Sequence, residues 1–335
     1  IEELNRAIVQ FRQALRDPYS EPTEPARKLY NILIKPVEKE IKQSQAKTII
    51  YAPDAKLRYI PIAALFDGKK WLVQRFAINY ITAARLTDIK PIPRHNPHVL
   101  AAAFTKGNFN FTVGNRQLNF DGLQFAGLEV NELAATLQNT TILLDRAFSK
   151  QAVIPRLNEY NIIHFATHAA FVAGEPEDSF ILFGDGSRVT LRDVETWSLP
   201  NADLVVLSAC ETGVGEQLSN GKEILGFGYQ MQQIGAKATI ASLWSISDGG
   251  TQALMNNFYA ALTSPGETLG SRDINKAEAL REAQIALITG EYKRLGERRG
   301  IGVQARDENN LSPTVTDRLN HPYYWAPFIL IGNGF

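Results

Sequence analysis

Apolar residues recur at helical spacing at the start of the chain. Leu4, Ile8, Phe11 and Leu15 fall on one stripe among charged residues, and Leu29, Leu33, Val37 and Ile41 form a second. Pro36 is expected to bend the second helix, because proline removes an amide donor and crowds the preceding turn. These stripes offer too little apolar surface for a core of their own, so residues 1–47 are expected to lean on the rest of the chain or to continue an upstream helical array. From Thr48 the period changes. Thr48 to Tyr51, Leu57 to Ala63 and Phe76 to Thr82 read as short strands split by turn segments such as Phe66-Asp67-Gly68-Lys69. Three prolines among the eight residues Lys90 to Pro97 then mark a boundary. Residues 48–97 are therefore expected as a small α/β supporting subdomain, and 98–335 as the main domain.

Beyond that boundary, apolar runs alternate with helical patterns, the signature of a mostly parallel sheet with helices on both faces. The expected strands are Val99 to Phe104, Thr141 to Leu144, Ile162 to Thr167, Leu204 to Ala209, Thr239 to Trp244 and Phe328 to Ile331. Helices are expected over Leu128 to Leu137, Leu191 to Thr196, Glu223 to Ile234, Gln252 to Leu262 and Lys276 to Ile288, with Gly235 placed to end one of them. Glu291 to Asn320 is polar, arginine-bearing and loop-like, and a loop of that length is usually functional or mobile. There is no tandem repeat.

Composition narrows the function classes. A chain of 335 residues with 44% hydrophobic content can bury a large core. Its 35 basic and 35 acidic residues cancel, so no overall field favours nucleic acid or an anionic membrane. One cysteine can form no intrachain disulfide and no multi-cysteine zinc site, which points to a reducing compartment. No apolar run approaches the roughly 20 residues of a membrane-spanning helix, and the start has no signal-peptide order. A cytoplasmic protein is expected. Because the chain opens on Ile1 rather than Met, it is also expected to be a piece of a longer protein or a processed product.

Reactive groups of an open parallel sheet gather beyond the carboxyl ends of its strands. The strand from Asn161 to Thr167 ends at His168, and the strand from Asp203 to Ala209 ends at Cys210. The offset of 42 positions from His168 to Cys210 leaves room for a crossover, so the strands can be neighbours about 4.8 Å apart. An imidazole there can manage the protons of a thiol whose thiolate is the attacking species. Backbone N–H groups of Cys210 and of Ala169, just after His168, are the expected oxyanion donors. Alone, a cysteine after Val-Val-Leu-Ser-Ala is more often a buried small hydrophobe; the strand-end position and the matching histidine favour chemistry. His164 is the weaker candidate, one turn of the pleat inside, where a satisfied core histidine is expected. His95, His98 and His321 lie beside prolines or close to them and read as structural.

A third strand end, at Trp244, runs into Ser245-Ile246-Ser247-Asp248 and brings a carboxylate to the same rim. Asp248 could line a pocket for a basic substrate side chain, or cap the helix that follows. The stretch Gly213 to Glu223 looks like a phosphate loop but fails: five residues separate Gly215 from Gly221, and Glu223 follows the lysine where a hydroxyl is required. That weakens a nucleotide-binding reading. No acidic cluster suggests calcium, and neither metal nor cofactor is expected.

Four stretches resemble the CHAT family, caspase-like protease domains often attached to TPR repeats and related to separases: Leu57 to Leu65, His164 to Ala169, Leu207 to Gly213 and His321 to Phe328. The resemblance implies a caspase-like α/β fold and a cysteine endopeptidase with a His168/Cys210 dyad that needs no third orienting residue. In separase-like relatives the aspartate of a Leu-Trp-x-x-x-Asp segment recognises a basic residue before the scissile bond. Leu243 to Asp248 matches it, implying cleavage of protein substrates after Arg or Lys. Caspases usually carry glycine after the catalytic histidine, where Ala169 stands here; alanine is familiar in CHAT domains. The family also implies a TPR-like upstream region in the same chain, and activation by a partner or by self-cleavage in the loop holding Arg294, Arg298 and Arg299. The rival expectation is a non-catalytic pseudoprotease that keeps the fold for partner binding.

Overall fold

The computed structural model of the chain describes residues 2–82, 87–91, 95–113, 116–171, 179–208, 211–212, 222–244, 246, 248–263, 274–292 and 318–335. Three helices come first, α1 (Glu2–Arg16), α2 (Thr23–Leu33) and α3 (Glu38–Gln43). Strands β1 (Thr48–Tyr51), β2 (Ala77–Tyr80) and β3 (Val99–Ala103) lead to a hairpin, β4 (Asn108–Val113) and β5 (Arg116–Asp121). Then follow α4 (Ala126–Thr136), β6 (Thr140–Leu144), α5 (Lys150–Val153), β7 (Ile162–Ala166), β8 (Ala169–Phe171), β9 (Phe180–Leu182), β10 (Arg188–Thr190) and α6 (Leu191–Val194). The remainder is β11 (Leu204–Leu207), β12 (Glu211–Thr212), α7 (Lys222–Gln233), β13 (Ala238–Ser242), α8 (Asp248–Leu262), α9 (Lys276–Thr289), α10 (Pro322–Trp325) and β14 (Phe328–Gly332).

Eight strands form one sheet in the order β1-β2-β14-β13-β11-β7-β3-β6. The five from β13 to β6 are parallel, and β14 runs antiparallel to β13 but parallel to β2. The sheet thus reverses direction once, between β13 and β14. The final strand, Phe328 to Ile331 in the sequence reading, belongs to the reversed block with β1 and β2. The two strands of the 48–97 segment enter this same sheet.

The strands β13, β11, β7 and β3 of the parallel block are buried along their whole length, while the edge strand β6 is half-buried. On one face Val99, Ala101, Ile162, Leu204 and Val206 pack with α4, α8 and α9; on the other Leu100, Ala102, Ile163, Phe165 and Val205 pack with α5, α6 and α7. Alternation of period two sends successive side chains into these two cores. Each fully buried Leu, Ile or Phe contributes roughly 1.5–3 kcal/mol.

The helical entry holds to the body by the same rule. Ala7, Ile8, Phe11 and Leu15 of α1 are buried, while Arg75 donates to Asp67 at 3.0 Å and to the Tyr30 hydroxyl at 2.8 Å, and Tyr30 donates to Glu38 at 3.0 Å. Pro36 interrupts the second stripe as expected, leaving a 3-10 turn at Lys35–Val37 between α2 and α3. Leu57 to Ala63, expected as a strand, is instead two 3-10 turns, Ala55–Tyr59 and Ile62–Ala64. Pro61 stands at the cap between them without an amide donor, and Tyr80 takes the local backbone bonds: its hydroxyl accepts from Ile62 N at 2.9 Å and donates to Ile60 O at 3.2 Å.

Candidate functional site

Strands β7 and β11 are parallel neighbours, with Leu204 opposite Ile162 and Leu207 opposite Phe165. Past their ends the pairing continues: Ser208 N donates to Phe165 O at 3.1 Å, and Glu211 of β12 lies opposite Ala170 of β8. Cys210 and Ala209 themselves lie outside the described residues. The described flanks on either side of them pair with the flanks of His168.

His168 is half-buried where β7 gives way to β8. Its backbone is held by Leu182 N, which donates to His168 O at 2.9 Å, and the preceding Thr167 hydroxyl donates to Leu182 O at 2.6 Å. The ring sits against Phe120, centroids 5.2 Å apart, and Phe104 at 6.2 Å. Nε2 lies 2.7 Å from the carbonyl oxygen of Asp121. A carbonyl only accepts, so Nε2 must carry the proton and donate; in the neutral ring Nδ1 is then the nitrogen with the free lone pair. An orienting partner therefore exists, as a backbone group. The sequence resemblance implied that none was required.

That carbonyl is itself fixed in place. Asp121 ends β5, and Gly122 N donates to Gly107 O at 2.9 Å while Leu123 N donates to Phe104 O at 2.9 Å. The turn it presses against, Thr105-Lys106, is clamped by Asp145, whose carboxylate accepts from Thr105 N at 2.7 Å and Lys106 N at 3.0 Å. A Cβ on Gly122 would fall 2.5 Å from backbone atoms of Thr105 and Lys106. Gly122→Ala is expected to push the Asp121 carbonyl off Nε2. Nitrogen-15 chemical shifts of the His168 ring beside a thermal melt check this: a folded variant whose Nε2–H signal is unchanged contradicts it. A cavity of about 380 Å³ opens beside the imidazole between Asn119, Gln124 and Phe125.

His164 is fully buried on the opposite face from Phe165, four residues before His168. Its Nδ1 lies 3.0 Å from the Tyr259 hydroxyl on α8, and its Nε2 lies 2.8 Å from Glu129 Oε1 on α4, close but off hydrogen-bond alignment. Burial and the Glu129 charge push the Tyr259 phenol well above its ordinary value. His164 is thus occupied within the core. His321 caps α10: its Nδ1 accepts from Tyr323 N at 3.1 Å, its Nε2 donates to Ser20 O at 3.1 Å, and burial lowers its pKa, favouring the neutral ring. His98 meets the Glu159 carbonyl and His95 meets Asp203.

Asp248 opens α8, beyond the carboxyl end of β13 and so on the same rim as His168. Its side chain is not among the described groups. Of the long loop, 293–317 lies outside the described residues, including Arg294, Arg298 and Arg299. No cluster of three metal-ligating side chains occurs among the described residues. Nor is any helix among them long and apolar enough to cross a membrane.

Among the described residues, a mostly parallel sheet with helices on both faces thus carries a histidine, hydrogen-bonded to a backbone carbonyl, at the end of one central strand. The chain belongs to the CHAT-domain family, whose model matches residues 23–333. Among curated proteins compared by sequence, none matches. Similar solved structures include the Arg specific cysteine proteinase gingipain R, at 11% identity and TM-score 0.49 over 99% of this chain and 75% of that one. Separase from Saccharomyces cerevisiae, in complex with securin, is similar at 10% identity and TM-score 0.49 over 91% of this chain and 17% of that one. A complex of the pro- and mature domains of Porphyromonas gingivalis RgpB gives 10% identity and TM-score 0.48, over 99% and 77%.

Proposed function

We propose that this chain is a cysteine endopeptidase in which Cys210 is the nucleophile and His168 its general acid/base, cleaving protein substrates after arginine or lysine. One observation carries the reading: the register of β7 with β11, continued by Ser208 and Glu211, aligns the two strand ends that carry His168 and Cys210 in the sequence. The fixed Nε2–H supports it, because Nδ1 is then free to take the thiol proton.

In this reading the Cys210 thiol loses its proton to Nδ1 and the sulfur attacks the scissile carbonyl. The oxyanion is held by the backbone N–H groups of Ala169 and Cys210. The imidazolium then protonates the departing amine as the C–N bond breaks, leaving a thioester that water hydrolyses with His168 as base. Asp248 takes the guanidinium or ammonium of the residue before the scissile bond. Further parts of the proposal are activation by a partner or by cleavage at Arg294, Arg298 or Arg299, a helical or TPR-like region upstream in the same protein, and a cytoplasmic setting.

The test is a thiol-reactive peptide probe ending in arginine, applied to the wild type, Cys210→Ala and Asp248→Asn. Labelling that needs Cys210 and drops about tenfold or more with Asp248→Asn supports the proposal. Absence of labelling, with and without upstream sequence restored, favours the non-catalytic binding module.

A further inference from the structure

We propose that the opposite rim of the sheet carries a second binding site, a cavity between the amino ends of β7 and β11 and the start of α9 that takes a small organic carboxylate with an apolar body. The cavity measures about 340 Å³, within the range of small-molecule pockets. Ile162 and Leu204, the first residues of β7 and β11, wall it together with Leu137 and Leu262. At 3.3 Å per residue it lies roughly 20 Å from His168, so it is no part of the candidate peptidase site.

Its polar end holds Asp203, His95 and Lys276, with Lys237 bound to Asp203 just outside the lining. Asp203 Oδ2 is 2.9 Å from His95 Nδ1, and Oδ1 accepts from Lys237 Nζ at 2.5 Å, so both carboxylate oxygens are occupied. Lys276, also in the cavity lining, is 8% exposed, and its hydrogen bond among the described residues is a long one, 3.5 Å to the main-chain O of Phe335. An ammonium has three donors and is costly to bury unpaired. Burial holds its pKa down to about 8 against the opposing charge of Asp203, so at neutral pH it is still mostly charged, with one long hydrogen bond for its three donors among the described residues.

An anion seated beside Lys276 would supply them. The carboxylate of Asp203 on the same wall disfavours a second negative charge, which selects a monoanion over a phosphate dianion. Four aliphatic side chains select an apolar body behind the charge.

The experiment is calorimetric titration of the full chain with 4-phenylbutyrate, against its neutral analogue 4-phenylbutan-1-ol. Saturable binding of the acid is expected, weakened about tenfold or more in the alcohol and in Lys276→Met, whose side chain keeps most of the volume. Lysine methyl resonances of reductively methylated wild-type protein give a readout that needs no variant: one signal, absent from Lys276→Met, should shift with the acid. No saturable binding below about 10 mM, equal binding of the alcohol, or undiminished binding by a folded Lys276→Met overturns the site. Arginine-probe labelling of Cys210 is indifferent to this outcome, so the two proposals fail separately.

Discussion

Replacing His168 with glutamine is expected to lower kcat/KM toward an arginine-ended peptide by about 10²–10⁴-fold, the usual contribution of a positioned acid/base. Glutamine can still donate to the Asp121 carbonyl but cannot shuttle a proton, so the change removes chemistry and spares the backbone around it. The half-buried ring gives up its contacts with Phe120 and Phe104, worth about 1 kcal/mol. The measurement is kinetics paired with denaturant unfolding. A loss below tenfold in a folded variant would remove His168 from the proposed mechanism.

The largest stability effect is expected at Glu129, not at the rim. Glu129→Ala strips the carboxylate from a fully buried imidazole and opens the α4–α8 packing above the sheet, which should cost about 3–5 kcal/mol. Glu129→Gln keeps the volume and should cost less. A His164→Leu partner variant completes the cycle: because the second change leaves no orphaned polar ring, the double variant should recover part of the loss. Urea unfolding decides it, and a Glu129→Ala cost under about 1 kcal/mol would mean the pair contributes little.

Much of this architecture is legible in residue order, for identifiable reasons. The run Ile162 to Ala166 is apolar but for His164 and flanked by helical periods, so its central place follows from its short, nearly continuous apolar character. Direction does not: nothing in Phe328 to Gly332 distinguishes a strand parallel to β13 from one antiparallel to it, because period two is blind to polarity. Leu57 to Ala63 misleads because an apolar run with a proline satisfies the burial demand of strand and 3-10 turn equally. The hairpin of β4 and β5 had a signal, Phe109 and Phe111 alternating with polar neighbours, Leu118 and Phe120 likewise, and Gly114-Asn115 between them. That hairpin delivers the Asp121 carbonyl, and a main-chain acceptor leaves no trace in residue type.

The antiparallel seat of β14 also dictates when the sheet can close. β2 meets the rest of the sheet through β14, with Tyr80 opposite Ile331, so a ribosome must release residues up to about 332 before the first two strands have a place in the sheet. Until then the early segment is an open edge exposed to proteases and to other chains. Deleting 328–335 should freeze that waiting state, and limited proteolysis would then cut first between β1 and β2; a digestion pattern identical to the intact protein would refute this order of assembly.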